Sequence, residues 1–337
     1  MNPIAPSQGL TIYLEHREGD LAASSLRSYD YRLRFFTEWC NENGIDDLSE
    51  LSARDIHDFK QWRRVEGHDG DGAMARPTLK SNMDCVRGFL RYMEKLDYTV
   101  EDISESAESP ELRARENVSE DIVEREKAKN ILDYLDKFRY ASREHALFSI
   151  CWHTAARTGS LRALDLSDYN SEDQFLSFCH RPEKGTPLKN KRKGERMVAL
   201  SPEICVVIDD YISENRLETV DKHGREPLLT TRNNGRMACN TVRGWSYRMT
   251  CPSFYTNKCP HSGGDCKSSE NSNYAYSCPE STAPHSIRRG AITAMLEDDV
   301  PHRIVSDRAQ VSQAVLKKHY DARGKRAKME QRRQFID

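Results

Sequence analysis

The chain has 337 residues, 31% of them charged and 37% hydrophobic, and its 51 Lys and Arg against 53 Asp and Glu leave a net charge of −2. Mean hydropathy is −0.79, and no apolar run reaches the length of a bilayer, which excludes a membrane-spanning helix. The opening MNPIAPSQGLTIYLEHREGD lacks the basic and apolar blocks of a secretory leader, so a cytoplasmic protein is expected.

Length leaves room for two domains, each with its own core. Residues 1–103 read as a small helical module. After Ser24 and Ser25, the stretch LRSYDYRLRFFTEWCNENG places Leu26, Tyr29, Leu33, Phe36 and Trp39 at helical spacing, with Gly44 as a stop. SARDIHDFKQWRRV from Ser52 is a second amphipathic helix. TLKSNMDCVRGFLRYMEKL from Thr78 is a third, with Met83, Val86, Leu90 and Met93 on one face. Residues 104–119, SESAESPELRARENVS, are rich in Ser and Glu and poor in apolar groups, the composition of a linker.

Residues 120–337 form the second domain. SEDIVEREKAKNILDYLDKF is its first helix and HALFSICWHTAA an apolar second. QFLSFCHRP and RMVALS then form a strand pair across a basic turn, and further helices are expected at 202–216, 285–297 and 312–332. The predicted class is mainly α with a small antiparallel β-sheet (α+β).

Charge is unevenly distributed. Residues 181–196 hold seven Lys and Arg against two Glu, and Lys317–Arg333 hold eight against Asp321 and Glu330. Two basic blocks on a balanced chain suit a local polyanion site. Of ten cysteines, Cys40, Cys85, Cys151, Cys179, Cys205 and Cys239 stand singly, as buried free thiols do. Cys251, Cys259, Cys266 and Cys278 cluster at 251–278, with His261 between them, in a segment with few aliphatic residues to build a core. In a protein that is not secreted such a cluster points to metal, and a structural Zn²⁺ is the expected source of order.

HTAARTGSLRALDLSDYN at 153–170 resembles the first arginine box of the tyrosine recombinase (phage integrase) family, T-G-x-R-x-x-E-L-x-x-L-x-x-x-D. Thr154, Arg157, Leu161, Leu164 and Asp168 match without gaps, while Ala155 replaces the usual Gly and Ser160 the usual acid. PHSIRRGAITAML supplies a second box, His285-x-x-Arg288, and ungapped counting from it puts the family's tyrosine on Tyr320. The basic turn occupies the place of the family's lysine, for which Lys189 is preferred and Lys184, Lys191 and Lys193 stay open. Four matches in order cover nearly the whole chain, and the Cys-rich insertion is similar to those of some archaeal integrases.

The resemblance implies an N-terminal core-binding (SAM-like) domain and a catalytic domain that form a C-shaped clamp on double-stranded DNA at a specific site, with assembly as a tetramer. It implies cleavage through a 3′-phosphotyrosyl intermediate, for integration or excision of a mobile element, with no cofactor for the chemistry. Arg157 and Arg288 would hold the phosphate, Lys189 would protonate the leaving oxygen, His285 would assist proton transfer or orient the phosphate, and Tyr320 would attack. Lys191, Arg192, Arg289, Arg308, Lys317, Lys318 and Arg323 are expected DNA contacts. One departure stands out. The family carries a His or Trp nine residues before its tyrosine, where this chain has Val311; Arg308, His302 and His319 are the candidates to replace it. Val311 and Ser160 leave open a DNA-binding protein with weakened catalysis, and a type IB topoisomerase-like relaxing enzyme shares the chemistry.

Overall fold

The computed structural model describes residues 3–67, 72–113, 116, 121–256, 258, 260–261, 267–269, 272–320, 329 and 333. They fall into two units, Met1–Ser119 and Glu120–Asp337. Among the described residues no helix is long and apolar enough to cross a membrane.

The first unit is built from α1 (Pro6–Arg17), α2 (Ala23–Glu42), α3 (Ala53–Val65) and α4 (Arg76–Lys95). Ser52 starts α3 through a capping box: its hydroxyl accepts the Asp55 amide at 3.4 Å, and the Asp55 carboxylate accepts the Ser52 amide at 2.9 Å. α4 buries Leu79, Met83, Val86, Phe89, Leu90 and Met93 along one face, against Phe36 of α2 and Phe59 of α3. Each side chain so buried stabilises the unit by about 1.5–3 kcal/mol. α1 was not legible in advance, because Gly9 interrupts its pattern. A Cβ at that glycine would lie 2.7 Å from Leu48 Cδ1, so the Leu48 side chain would have to shift to admit one.

The segment expected as a linker from residue 104 starts as packed structure. Ile103 and Ala107 are buried, and Glu94 accepts the Ser104 amide at 2.6 Å and its hydroxyl at 2.9 Å. Arg87 Nε donates to the Ala107 carbonyl at 3.0 Å. The stretch is polar in composition because its side chains bond to α4.

The second unit begins with α5 (Arg125–Phe138), α6 (Arg143–Thr154) and α7 (Thr158–Ala163). A three-stranded antiparallel sheet follows, β1 (Tyr169–Asn170), β2 (Phe175–Phe178) and β3 (Arg196–Ala199), in the order β1-β2-β3. Leu176 pairs with Val198 and Phe178 with Arg196. The two-residue β1, pairing Tyr169 with Leu176, is an addition to the expected pair. Next come α8 (Pro202–Asp210), α9 (Cys239–Thr250), α10 (Pro252–Thr256), α11 (Pro284–Glu297), α12 (His302–Ala309) and α13 (Gln313–His319). The helix expected at 202–216 changes to a π turn at Tyr211–Asn215. α6 is buried nearly all round and forms the centre of the core with Ile131, Leu161, Leu176, Val198 and Ile287. A smaller cluster joins Ala155, Ala291, Ile292, Val305, Ala309, Val311 and Leu316, with Tyr320 packed on its edge. That cluster fixes where α6, α11 and α13 end relative to one another.

Candidate active site

Arg157 owes its position to a reversal at the end of α6. Thr154 Oγ1 donates to the Ile150 carbonyl at 2.6 Å and accepts the Ala156 amide at 3.2 Å. Ala155 then turns with φ 50°, ψ 31° in the left-handed region, so that Arg157 becomes the N-cap residue of α7. The turn explains why glycine is usual at position 155, since it reaches this conformation without strain. Arg288 lies one turn into α11, only 2% exposed, and donates from Nη1 to the Ala155 carbonyl. Its Nε finds no partner among the described residues. The two arginines are therefore fixed on the same reversal.

Tyr320 follows the last turn of α13, its amide donating to the Leu316 carbonyl at 3.0 Å. Burial pushes the Arg157 guanidinium down from its ordinary value, and the nearby Tyr320 phenol counters it. Arg288 is pushed down by burial and by the charge of Arg157, and the nearby Tyr320 phenol counters it. His285, at the start of α11, is pushed below the ordinary imidazole value by burial and then by Arg288, Arg289, Arg157 and Lys189. It is neutral at pH 7 and able to accept a proton.

The hairpin lysine is placed by its neighbour. Leu188 is buried, and its amide donates to His180 Nδ1 at 2.9 Å. The next residue, Lys189, comes near enough for its charge to act on His285. Lys191, Arg192 and Lys193 lie exposed on the short turn Lys191–Gly194. Asp168 of the arginine box holds the base of this hairpin, accepting Arg181 Nη1 at 2.9 Å and Nη2 at 2.6 Å.

Two expected DNA contacts are turned inward. Arg289 is 7% exposed, with its guanidinium carbon 5.9 Å from the centre of the Tyr320 ring. That geometry favours a cation over an aromatic face and supports the tyrosine directly. Arg308 donates to the His153 carbonyl from Nε at 3.1 Å and Nη2 at 3.0 Å, which ties α12 to α6. Arg289 is thus buried and Arg308 half-buried. The side chains of Lys317 and Lys318, and the whole of Arg323, lie outside the described residues, as does the side chain of His319.

Arg196 belongs to the site and was missed. Its Nε donates to the Arg308 carbonyl at 2.9 Å, and its guanidinium lies over Phe178. Burial, then repulsion from Arg288, Arg157 and Arg308, push its pKa down. A signal existed: strand alternation puts Arg196 on the same face as buried Val198, and an arginine on a buried face needs a reason. Arg157, Arg196 and Arg288 thus crowd one low-dielectric pocket. Such a cluster gains most from a polyanion with several oxygens to share, and a phosphodiester fits that description.

Of the expected metal ligands, Cys251 and Cys278 meet in a small buried cluster with Ala275. Cys251 Sγ donates to Ser268 Oγ at 3.4 Å. His261 Nε2 pairs with Glu280 Oε1 at 3.2 Å. Cys259 and Cys266 lie outside the described residues, among which no group of three or more metal-ligating side chains occurs.

No family model matches the chain. It is 20% identical over 291 residues to the tyrosine recombinase XerD of Oceanobacillus iheyensis, which covers 86% of this chain and 84% of that one. It is 22% identical over 238 residues to XerD of Mycobacterium tuberculosis, covering 67% and 71%. Among solved structures it is similar to the Tn1549 transposon integrase in complex with a circular intermediate DNA, at TM-score 0.70 and 13% identity over 98% of this chain and 99% of that one. It is also similar to the XerH site-specific recombinase bound to difH substrate, at TM-score 0.62 and 14% identity over 97% and 84%.

Proposed function

The chain is a member of the tyrosine recombinase and integrase family, and from that premise we propose that it cleaves and rejoins DNA at a specific site through a covalent 3′-phosphotyrosyl link. The observation that carries the proposal is the convergence of Arg157 and Arg288 on Tyr320, with His285 beside them.

Each group has a defined part. Tyr320 Oη forms the new bond to phosphorus in line with the 5′ oxygen, whose bond to phosphorus breaks. Neutral His285 takes the phenol proton, and Lys189, on its solvent-facing turn, gives a proton to the departing 5′ oxygen. Arg157 and Arg288 hold the non-bridging oxygens, where charge grows in the transition state. Arg196 adds positive potential behind them. The phosphodiester energy is kept in the tyrosyl link, so rejoining requires no nucleotide. Lys191 and Arg192 contact flanking phosphates, and assembly of four copies on two sites, in the cytoplasm, would serve integration or excision of a mobile element. A nicked duplex that loses its 5′ fragment on cleavage tests the reading: wild type is expected to stay covalently attached, and its failure to do so would refute the proposal.

We also propose that the insertion carries a structural Zn²⁺ on Cys251, Cys259, Cys266 and Cys278, with His261 close by. The two described thiols fit such a site, being buried together in a segment with few apolar residues. The metal would order the insertion and take no part in strand transfer. Elemental analysis of protein purified without added metal is expected to find about one zinc per chain, falling well below that in Cys278→Ser. Chelation is expected to lower the melting temperature of the second unit. Metal-free protein with an unchanged melting curve would mean ordinary free thiols.

A further inference from the structure

Val311, at the position where the family carries a phosphate-bonding His or Trp, is 8% exposed and packs into the apolar cluster with Ala155, Val305 and Leu316. It reaches no reacting group. The residue before it does. Gln310 ends α12 with φ 52° and ψ 60°, a left-handed conformation that a side chain disfavours and that persists only where its surroundings demand it. The backward turn carries its carboxamide to the active site. Gln310 Oε1 accepts Arg157 Nη1 at 2.5 Å, and Nε2 faces the Lys193 carbonyl at 3.5 Å. Room for it comes from Gly194, where a Cβ would stand 3.2 Å from Nε2.

We propose that Gln310 is the positioning residue that replaces the missing His or Trp, holding the Arg157 guanidinium toward Tyr320 and linking it to the basic turn that follows Lys189. The inference rests on the strand-transfer reading of the site. A neutral amide suits the task. It takes up one guanidinium donor and leaves the others for phosphate, whereas a carboxylate would cancel the charge that the transition state needs. The same amide spans two elements that must act together, the phosphate-holding arginine and the turn with the leaving-group acid. Of the three candidates named from sequence, Arg308 is committed to the His153 carbonyl, and the side chain of His319 lies outside the described residues.

The test is single-turnover adduct formation on the nicked duplex at saturating protein, with DNA affinity and melting temperature measured in parallel. Gln310→Gly removes the carboxamide while favouring the left-handed turn, so it is expected to melt at or above the wild-type temperature. It should bind DNA within about twofold of wild type. Adduct should form about ten- to a hundredfold more slowly, the rate equivalent of one hydrogen bond to a charged group. Gln310→Met keeps the length without the acceptor and is expected to show the same loss. Either variant cleaving at the wild-type rate would overturn the proposal. So would a rate loss that only follows lost stability and lost binding in both, because that is what a packing role gives. If wild type forms no adduct at all, the strand-transfer reading fails and this proposal fails with it. An adduct from wild type that is undiminished in the variants sinks the proposal alone.

Discussion

Arg288→Met is expected to slow covalent attachment to DNA by about a thousandfold, the scale of losing a preorganised donor to a developing oxyanion. The same change should alter the melting temperature of the free protein little. Arg288 is buried beside Arg157, its Nε is without a partner among the described residues, and its pKa is pushed down by burial and by that neighbour. An apolar side chain of similar length removes a desolvated charge and a repulsion. Against that, the Ala155 carbonyl loses its donor, a cost of about 1–3 kcal/mol. Stability and activity thus part at this residue, as they do where a fold holds like charges together for a ligand's sake. A large fall in melting temperature with cleavage retained would show that Arg288 is a structural residue.

Gly290→Ala is expected to have the largest effect on stability. A Cβ at this position of α11 would lie 1.8 Å from the Val123 carbonyl oxygen and 3.1 Å from Trp152 Cζ3. Backbone is the obstacle, and Val123 is itself held by its amide donating to the Ser286 carbonyl at 3.1 Å. Neither side can yield cheaply, so a loss of about 3 kcal/mol is expected. For a unit of this size that is about 6–12 °C in melting temperature. Cleavage should fall as well, because α11 carries His285 and Arg288. Gly159→Ala is the control: a Cβ there meets nothing within 4 Å, and stability should hold. Equal melting of the two variants would contradict the packing described for α11.

What could be read from sequence was whatever depends on spacing along one element or on residue types with few alternatives. The faces of α2 and α4 followed from apolar periodicity, and α3 was legible as an amphipathic helix starting at Ser52. Arg157, His285, Arg288 and Tyr320 were picked out because the family resemblance fixes their intervals, and the fold brings them near one another. The misses involve long-range partners. α12 escaped because only Val305 and Ala309 of its eight residues are buried. The segment from residue 104 looked like a linker because the hydrogen-bonding partners of Ser104 and Ala107 lie on α4. Arg289 and Arg308 were read as DNA contacts from charge alone, and the inward packing of the first and half-burial of the second were not visible there. Gln310 gave no local sign at all. Its left-handed turn, its reach to Arg157 and the inward rotation of Val311 all depend on how α6, α12 and the turn after β2 meet.

The central claim is that Tyr320 is the nucleophile of this pocket. The most direct measurement incubates the full chain with a nicked duplex carrying its recombination site, isolates the covalent protein–DNA species, and identifies the linked peptide by mass spectrometry. The expected result is a 3′-phosphate ester on Tyr320 with a free 5′ hydroxyl on the released strand, abolished in Tyr320→Phe while DNA binding persists. Tight binding without any adduct, or an adduct mapped to another residue, would contradict the account.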